Sequence, residues 1–270
     1  MARFQYLKGN SFFHRMDPTW KFVWNFVVVA TVILNFDLLY TALWFVYAFL
    51  LAIFLAQVPI RQYLRSLLLF VGMALFIALW KSVYYNPEVG ETVHVFFAWG
   101  PINVTQEGIL EGFTSFFRVL VIVSFSIIFT LTTDPGKMVE SLIQVAKVPY
   151  RIGYTAYAAL RFVPIYENEA QVIINAHQIR GVGETGKSLK SKARLYRSLL
   201  VPLLVSGIRR AQAASIAMDS RGFGAYAKRT VIHEVKVSRS TIVFVLIHIA
   251  VGAVAFYYYI ILGHGTQFLG

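Results

Sequence analysis

Five long apolar stretches constrain this chain more than any other feature of its sequence. A helix needs about 20 mainly apolar residues to cross the hydrocarbon core of a bilayer, and each stretch has or approaches that length. Charged residues make up only 14% of the 270, whereas a soluble domain contains about 25%. We therefore expect an all-α membrane protein with about five transmembrane helices. The predicted spans are residues 19–36, 38–58, 64–80, 109–131 and 241–262.

The basic residues predict the orientation of the chain in the membrane. Residues 132–239 contain 17 of the 25 Lys and Arg side chains but only seven of the 13 Asp and Glu side chains. The connection between the third and fourth spans has the opposite bias, with four glutamates against Lys81. Because basic loops remain in the cytoplasm, we expect the N-terminus and residues 132–239 inside the cell and the C-terminus outside. The predicted domains are a four-span part (1–131), a cytoplasmic region (132–239) and a last transmembrane helix (240–270).

Helical periodicity continues through the basic region, which we interpret as long amphipathic helices between spans four and five. Asp134-Pro135 is typical of a helix start. A second helix is predicted over residues 150–180 and a third over residues 192–221, with kinks near Pro164 and Pro202. Such helices can lie along the cytoplasmic membrane face or pack on sister helices, and the sequence leaves both arrangements open.

The sequence A-x-x-x-R-G occurs twice, 41 residues apart, near the ends of these two helices. The alanine lies one turn behind the arginine and allows close approach, while the glycine is a typical residue for ending a helix. The guanidinium at the helix end can form two parallel hydrogen bonds with a carboxylate. Ordinary capping explains either copy alone, but two cytoplasmic copies favour docking to two similar soluble partners. The candidate docking residues are Ala176, Arg180 and Gly181 in the first copy and Ala217, Arg221 and Gly222 in the second.

Other site types are not expected from this sequence. Residues 181–188 match G-x-x-x-x-G-K-[ST], the pattern of a phosphate-binding loop. A helical pattern rather than a strand precedes them, so we interpret this segment as a flexible link. The chain has no cysteine, and its six histidines are scattered, which predicts no catalytic residue, no metal site and no cofactor. Nucleic acid is not an expected partner, because membrane orientation already accounts for most of the net charge of +12.

Two further motifs accompany the helix ends. D-P-T-W-K at residues 17–21 lies at the start of the first span, and L-R-F-V-P at residues 160–164 lies in the second long helix. Together with the two A-x-x-x-R-G ends, this ordered set resembles the transmembrane T component of energy-coupling factor (ECF) transporters, the ABC-type importers of vitamins and trace metals. The resemblance covers nearly the whole chain.

The resemblance implies a non-catalytic energy-coupling subunit in a bacterial or archaeal cell membrane. Two cytoplasmic ABC ATPases would receive Arg180 and Arg221 in surface grooves, and the long coupling helices would transmit ATP-driven motion to a membrane S component that binds the substrate. The chain itself would bind neither ATP nor substrate, and its sequence does not indicate which vitamin or metal ion is transported. A conventional ABC permease with its own translocation path and a membrane-embedded enzyme are the alternatives. Both would need polar clusters in the spans, which are sparse here.

Overall fold

The computed structural model describes residues 6–34, 37–84, 95–99, 102–179, 189–226, 231, 234–235 and 237–261. A π-helical turn, Leu51–Leu55, continues helix α3. The helices are α1 (Phe12–Arg15), α2 (Pro18–Ile33), α3 (Leu38–Leu50), α4 (Ile60–Val83), α5 (Gln106–Thr132), α6 (Pro135–Gln144), α7 (Tyr150–Ile179), α8 (Leu189–Ser220) and α9 (Arg239–Ile261), and the strands are β1 (Val95–Trp99) and β2 (Ile102–Thr105).

The chain divides into two compact units. The first, which we call the membrane unit, joins Met1–Met138 with Lys236–Gly270. The second, the coupling unit, is Val139–Val235. Within the membrane unit, α5 packs against α2, α3 and α4, and the last helix, α9, packs against α2. The apolar sequence thus forms one helical bundle from segments at both ends of the chain.

Five helices in the described part of the chain are long and apolar enough to cross a membrane. Four of them match predicted spans, namely α3 with its π-helical turn, α4, α5 and α9. The fifth is Arg197–Ser220 in α8, the least apolar of the set, which sequence analysis assigned to the cytoplasmic region. Helix α2 has only 16 residues and extends about 24 Å at 1.5 Å per residue, which is less than the roughly 30 Å of a hydrocarbon core. The all-α membrane fold is confirmed.

Aromatic side chains fill the interior of the membrane unit. Trp24 is fully buried, and its ring centroid lies 5.0 Å from that of Phe13, 5.4 Å from Phe125 and 5.6 Å from Phe244. His248 packs edge-on against Trp24 and shares a hydrogen bond of 2.7 Å with the Tyr47 hydroxyl. Helices α2, α3, α5 and α9 are therefore held by one aromatic cluster, and the histidine belongs to that packing.

The D-P-x-x-K motif joins two distant parts of the membrane unit. Asp17 accepts hydrogen bonds from the amides of Thr19 and Trp20 and so caps the start of α2. Lys21, which is only 1% exposed, reaches the last turn of α5, more than 100 residues later. Its ammonium donates to the carbonyl and hydroxyl oxygens of Thr132 and to the hydroxyl oxygen of Thr133, at 3.1–3.2 Å. This anchor fixes the residues that lead into α6.

A short β-hairpin precedes α5, and sequence analysis did not predict it. Strands β1 and β2 pair antiparallel, with Trp99 opposite Ile102 and Ala98 opposite Asn103. The register shifts between Val95 and Phe97, as expected for a β-bulge. The hairpin lies in the connection that sequence analysis assigned to the outer side of the membrane.

The coupling unit consists of the remainder of α6 and two long helices. Asp134 caps α6 by accepting from the amides of Gly136 and Lys137, which confirms the predicted helix start. Helices α7 and α8 also confirm the predicted long helices, and each continues through its internal proline, Pro164 and Pro202. Gly153 of α7 lies directly against Ile143 of α6, so a larger side chain would not fit there.

Candidate docking site at the end of helix α8

Helix α8 ends in a turn that a left-handed glycine completes. Gly222 has a φ of +65°. Its amide donates to the Asp219 carbonyl at 3.0 Å, and the Phe223 amide donates to the Met218 carbonyl at 3.0 Å. These two bonds define a Schellman C-cap, which satisfies carbonyls that the helix leaves open. The prediction that Gly222 ends this helix is confirmed.

Arg221 occupies the capping position and is exposed. The partial negative charge of the helix C-terminus favours a cation there. Among the residues that the structure describes, no carboxylate forms an ion pair with its guanidinium. Ala217, one turn earlier, is also exposed, so a small side chain borders the arginine. This helix end therefore presents an accessible guanidinium beside a surface that another backbone can approach.

The residues after the cap fold back onto the start of α7. Arg151 Nη2 donates to the Gly224 carbonyl at 2.9 Å, and the Tyr150 hydroxyl donates to the Tyr226 carbonyl at 2.9 Å. The Phe223 ring packs at 5.0 Å from Tyr154 and 5.7 Å from Tyr150, measured between centroids. We call these contacts the clamp. Sequence analysis did not identify the clamp, because its two sides are about 73 residues apart and no motif on either side indicates that they are in contact.

The first copy of the motif is only partly described. Helix α7 continues to Ile179, and Ala176 is exposed on it. Arg180 and Gly181 lie outside the described residues, as does the link at 181–188 that resembles a phosphate-binding loop. The docking roles of both copies stay predictions.

Helices α7 and α8 meet at positions that precede the two motif copies by the same number of residues. Arg210 Nη2 donates to Glu169 Oε2 at 3.0 Å, across a separation of 41 residues. A Cβ added at Gly207 would lie 2.8 Å from the Tyr166 hydroxyl oxygen, and these residues are also 41 positions apart. We call this contact the crossing. The absence of a side chain at Gly207 leaves room for the Tyr166 hydroxyl at the crossing.

The crossing is equally far from both arginines along the sequence. Arg180 follows Tyr166 by 14 residues, and Arg221 follows Gly207 by 14 residues. A helical arm of this length extends about 21 Å at 1.5 Å per residue. On α8, Arg221 therefore lies about 21 Å beyond the crossing along the helix.

Electrostatics at the crossing favour an ionised carboxylate. A hydrogen bond from Ser206, together with the Arg210 guanidinium, lowers the pKa of the Glu169 carboxyl from its ordinary value. The carboxyl group therefore stays charged at neutral pH, and the ion pair with Arg210 is present there. Both side chains remain partly exposed, so solvent screens this interaction.

Comparison with known proteins decides the family. The family model CbiQ, described as "Cobalt transport protein", matches residues 9–232, a range that includes α1 to α8 and both A-x-x-x-R-G copies. The chain belongs to the T-component family of energy-coupling factor transporters. The resemblance inferred from its motifs is thus confirmed.

Three relatives of this T-component chain illustrate the match. The energy-coupling factor transporter transmembrane protein EcfT of Lactococcus lactis subsp. cremoris (strain MG1363) is 30% identical over 239 residues, which are 86% of this chain and 88% of the relative. EcfT of Streptococcus thermophilus (strain ATCC BAA-250 / LMG 18311) is 30% identical over 261 residues, 94% and 96% of the two chains. EcfT of Limosilactobacillus fermentum (strain CECT 5716 / Lc40) is 32% identical over 231 residues, 82% and 83%. The T-component chain is therefore a multi-pass membrane component of a transporter.

Proposed function

We propose that this chain couples ATP hydrolysis by two cytoplasmic ABC ATPases to uptake by a separate S component. In this proposal one ATPase binds Arg180 and the other binds Arg221. Helices α7 and α8 transmit the resulting motion to the S component, which carries a vitamin or a trace-metal ion. The chain itself is not an enzyme, and ATP hydrolysis takes place in its partners.

The end of α8 is the observation that carries this proposal. An accessible arginine at a well-defined helix end, with no ion-pair partner among the described residues, fits a carboxylate-lined groove on another protein. Lysine would fit less well, because only the planar guanidinium forms two parallel bonds to one carboxylate. The same motif 41 residues earlier supports a second, similar partner.

The interior of the membrane unit favours a coupling subunit over a conventional permease. Bulky rings such as those of Trp24, Tyr63 and Phe125 are completely buried there. A permease would need a polar path between its spans, and side chains of this size occupy the space. We therefore assign translocation to the S component.

The orientation in the membrane is part of the proposal. The coupling unit lies within the strongly basic region of the sequence, and basic segments remain in the cytoplasm. A cytoplasmic coupling unit places both arginines on the side where ATP is present. The N-terminus would be cytoplasmic as well.

Charge reversal tests the proposal. Arg180→Glu and Arg221→Glu are introduced into this chain, alone and combined. The full complex that contains each variant is then purified from native membranes. Each single change should remove one ATPase and the double change both, because a glutamate repels the carboxylates of the groove. Arg197→Glu, an exposed arginine on α8, is the matched control and should retain both ATPases. Full retention of both ATPases by the double variant would refute the docking role. Transport by this chain and ATPases without a further membrane subunit would favour the permease alternative.

A further inference from the structure

Helices α7 and α8 are attached to each other at two separate places. One attachment is the crossing, where Arg210 bonds Glu169 and Tyr166 covers Gly207. The other is the clamp, where the turn after α8 bonds the first residues of α7. All of these residues belong to the coupling unit.

The clamp depends on backbone geometry as well as on side chains. Gly224 has a φ of +91°, a backbone conformation that residues other than glycine rarely adopt. An added Cβ would also lie 3.3 Å from Arg151 Nη2. Glycine at this position therefore allows the turn to present its carbonyl to the guanidinium. A hydrogen bond from a charged donor is stronger than one between neutral groups.

The two attachments are well separated along both helices. On α7, Tyr154 of the clamp precedes Tyr166 of the crossing by 12 residues, or about 18 Å of helix. On α8, Phe223 follows Gly207 by 16 residues, about 24 Å if all were helical. Two rods joined at a single point can rotate about it. Rods joined at two points this far apart keep a fixed angle.

We propose that α7 and α8 act as one rigid truss, and that Arg151 is the positioning residue that closes it. This inference rests on the proposed coupling function. Force applied at Arg221 then reaches the start of α7 directly through the clamp, since Phe223 and Gly224 follow Arg221 in the same turn. The angle between the two arms stays constant while the ATPases bind and hydrolyse ATP.

Distance measurement by electron paramagnetic resonance tests the truss. The natural chain has no cysteine, so Asn175→Cys and Ile216→Cys provide the only two labelling sites in it. Both positions are exposed and lie nine residues beyond the crossing on their own helices. The nitroxide distance in the full complex should form one narrow distribution. It should not shift between the nucleotide-free state and the state trapped with ATP and vanadate.

Substitution at Arg151 tests the clamp itself. Arg151→Met removes the charged donor, and we expect the ratio of closed to open clamps to fall about ten-fold, equivalent to about 1.4 kcal/mol. The distance distribution should broaden accordingly. Arg151→Lys, which keeps a charged donor, should restore part of the narrow component. Arg197→Met, which removes an exposed arginine outside both attachments, should leave the distribution unchanged.

Two results would overturn the truss. A distance that shifts with ATP in the otherwise unaltered chain would mean that α7 and α8 rotate about the crossing. A distribution that stays equally narrow in Arg151→Met would mean that the clamp does not hold the angle. Failure of the coupling proposal would be distinguishable, because it is read from ATPase retention in the Arg180 and Arg221 variants rather than from this distance.

Discussion

The membrane unit and the coupling unit differ in how deeply they bury their large apolar side chains. In the membrane unit, aromatic side chains pack against one another and Trp24 is excluded from contact with any solvent. In the coupling unit, large apolar side chains such as Leu204 and Ile216 are 62% and 70% exposed. Both units expose apolar side chains, since Phe26 and Leu68 of the membrane unit are 69% and 70% exposed. The buried aromatic core, however, belongs to the membrane unit, and the exposed apolar faces are left for lipid or other proteins to cover.

Basic side chains show the same contrast. Lys21 of the membrane unit is 1% exposed and donates to three oxygens of its own chain. Arg221 of the coupling unit is exposed at a helix end, without an ion-pair partner among the described residues. A buried charge that is fully hydrogen-bonded fixes structure, while an exposed one can serve recognition. Mutation of Lys21 should therefore change the stability of the chain, whereas mutation of Arg221 should change its binding to a partner.

The largest expected effect is on the stability of the membrane unit. Trp24→Ala should lower the free energy of unfolding by about 3–5 kcal/mol, because it leaves a cavity inside the aromatic cluster. Trp80→Ala, at a tryptophan that is 56% exposed, is the matched control and should change it by less than about 1 kcal/mol. Unfolding in detergent measures both. Equal losses would mean that the cluster does not stabilise this unit.

Loss of the Lys21 anchor should have the next largest effect. Lys21→Ala leaves the oxygens of Thr132 and Thr133 without their donor and opens a small cavity. We therefore expect the free energy of unfolding to fall by about 2–4 kcal/mol. Lys137→Ala, at an exposed lysine, is the control and should leave the free energy of unfolding nearly unchanged. Hydrogen exchange at the end of α5 should rise in the first variant only. Unchanged exchange there would show that the anchor does not hold this end.

Disruption of the α8 cap should lower the free energy of unfolding by about 1–2 kcal/mol. Gly222→Ala forces a side chain into the left-handed region, which costs about 1–2 kcal/mol. Faster exchange of the Phe223 amide, which bonds the Met218 carbonyl, would report the loosened turn. Gly72→Ala is the control and should raise the free energy of unfolding. Gly72 lies inside α4 with open space around it, and alanine favours a helix. A slower or unchanged Phe223 amide in Gly222→Ala would contradict the assigned cap.

The smallest expected effect concerns the pH dependence of the crossing. The pKa of the Glu169 carboxyl is lowered in the folded chain, so its ion pair contributes at neutral pH and is lost as the pH falls through that lowered pKa. Ser206→Ala and Arg210→Met should each raise the pKa of the Glu169 carboxyl towards its ordinary value, because each removes a group that stabilises the carboxylate. A carboxyl-selective NMR titration measures this. An unchanged Glu169 pKa in Ser206→Ala would contradict the contact.

Sequence patterns predicted the features that depend on neighbouring residues. The start of α6 follows from Asp134-Pro135, the end of α8 from Gly222, and most spans from apolar length. Contacts between distant segments had no such signal. Lys21 bonds to residues more than 100 positions away, and Arg151 bonds to Gly224 at a separation of 73, so neither contact follows from local periodicity.

Length and apolar character alone do not separate a transmembrane helix from a cytoplasmic one when the helix is only moderately apolar. The segment Arg197–Ser220 is long and apolar enough to cross a membrane, whereas α2 has only 16 residues. The basic residues flanking this segment led sequence analysis to place α8 in the cytoplasm. Arg209 and Arg210 lie near its middle and are exposed, and charges at the centre of a span are unfavourable. This argument supports the cytoplasmic location that we propose for the coupling unit.

A structure of the chain assembled with its ATPases tests the central claim most directly. We predict that the guanidinium groups of Arg180 and Arg221 each lie in a carboxylate-lined groove, one on each ATPase, on the cytoplasmic side of the membrane. Either guanidinium packed inside the chain's own subunit, or located on the outer side of the membrane, would contradict the account.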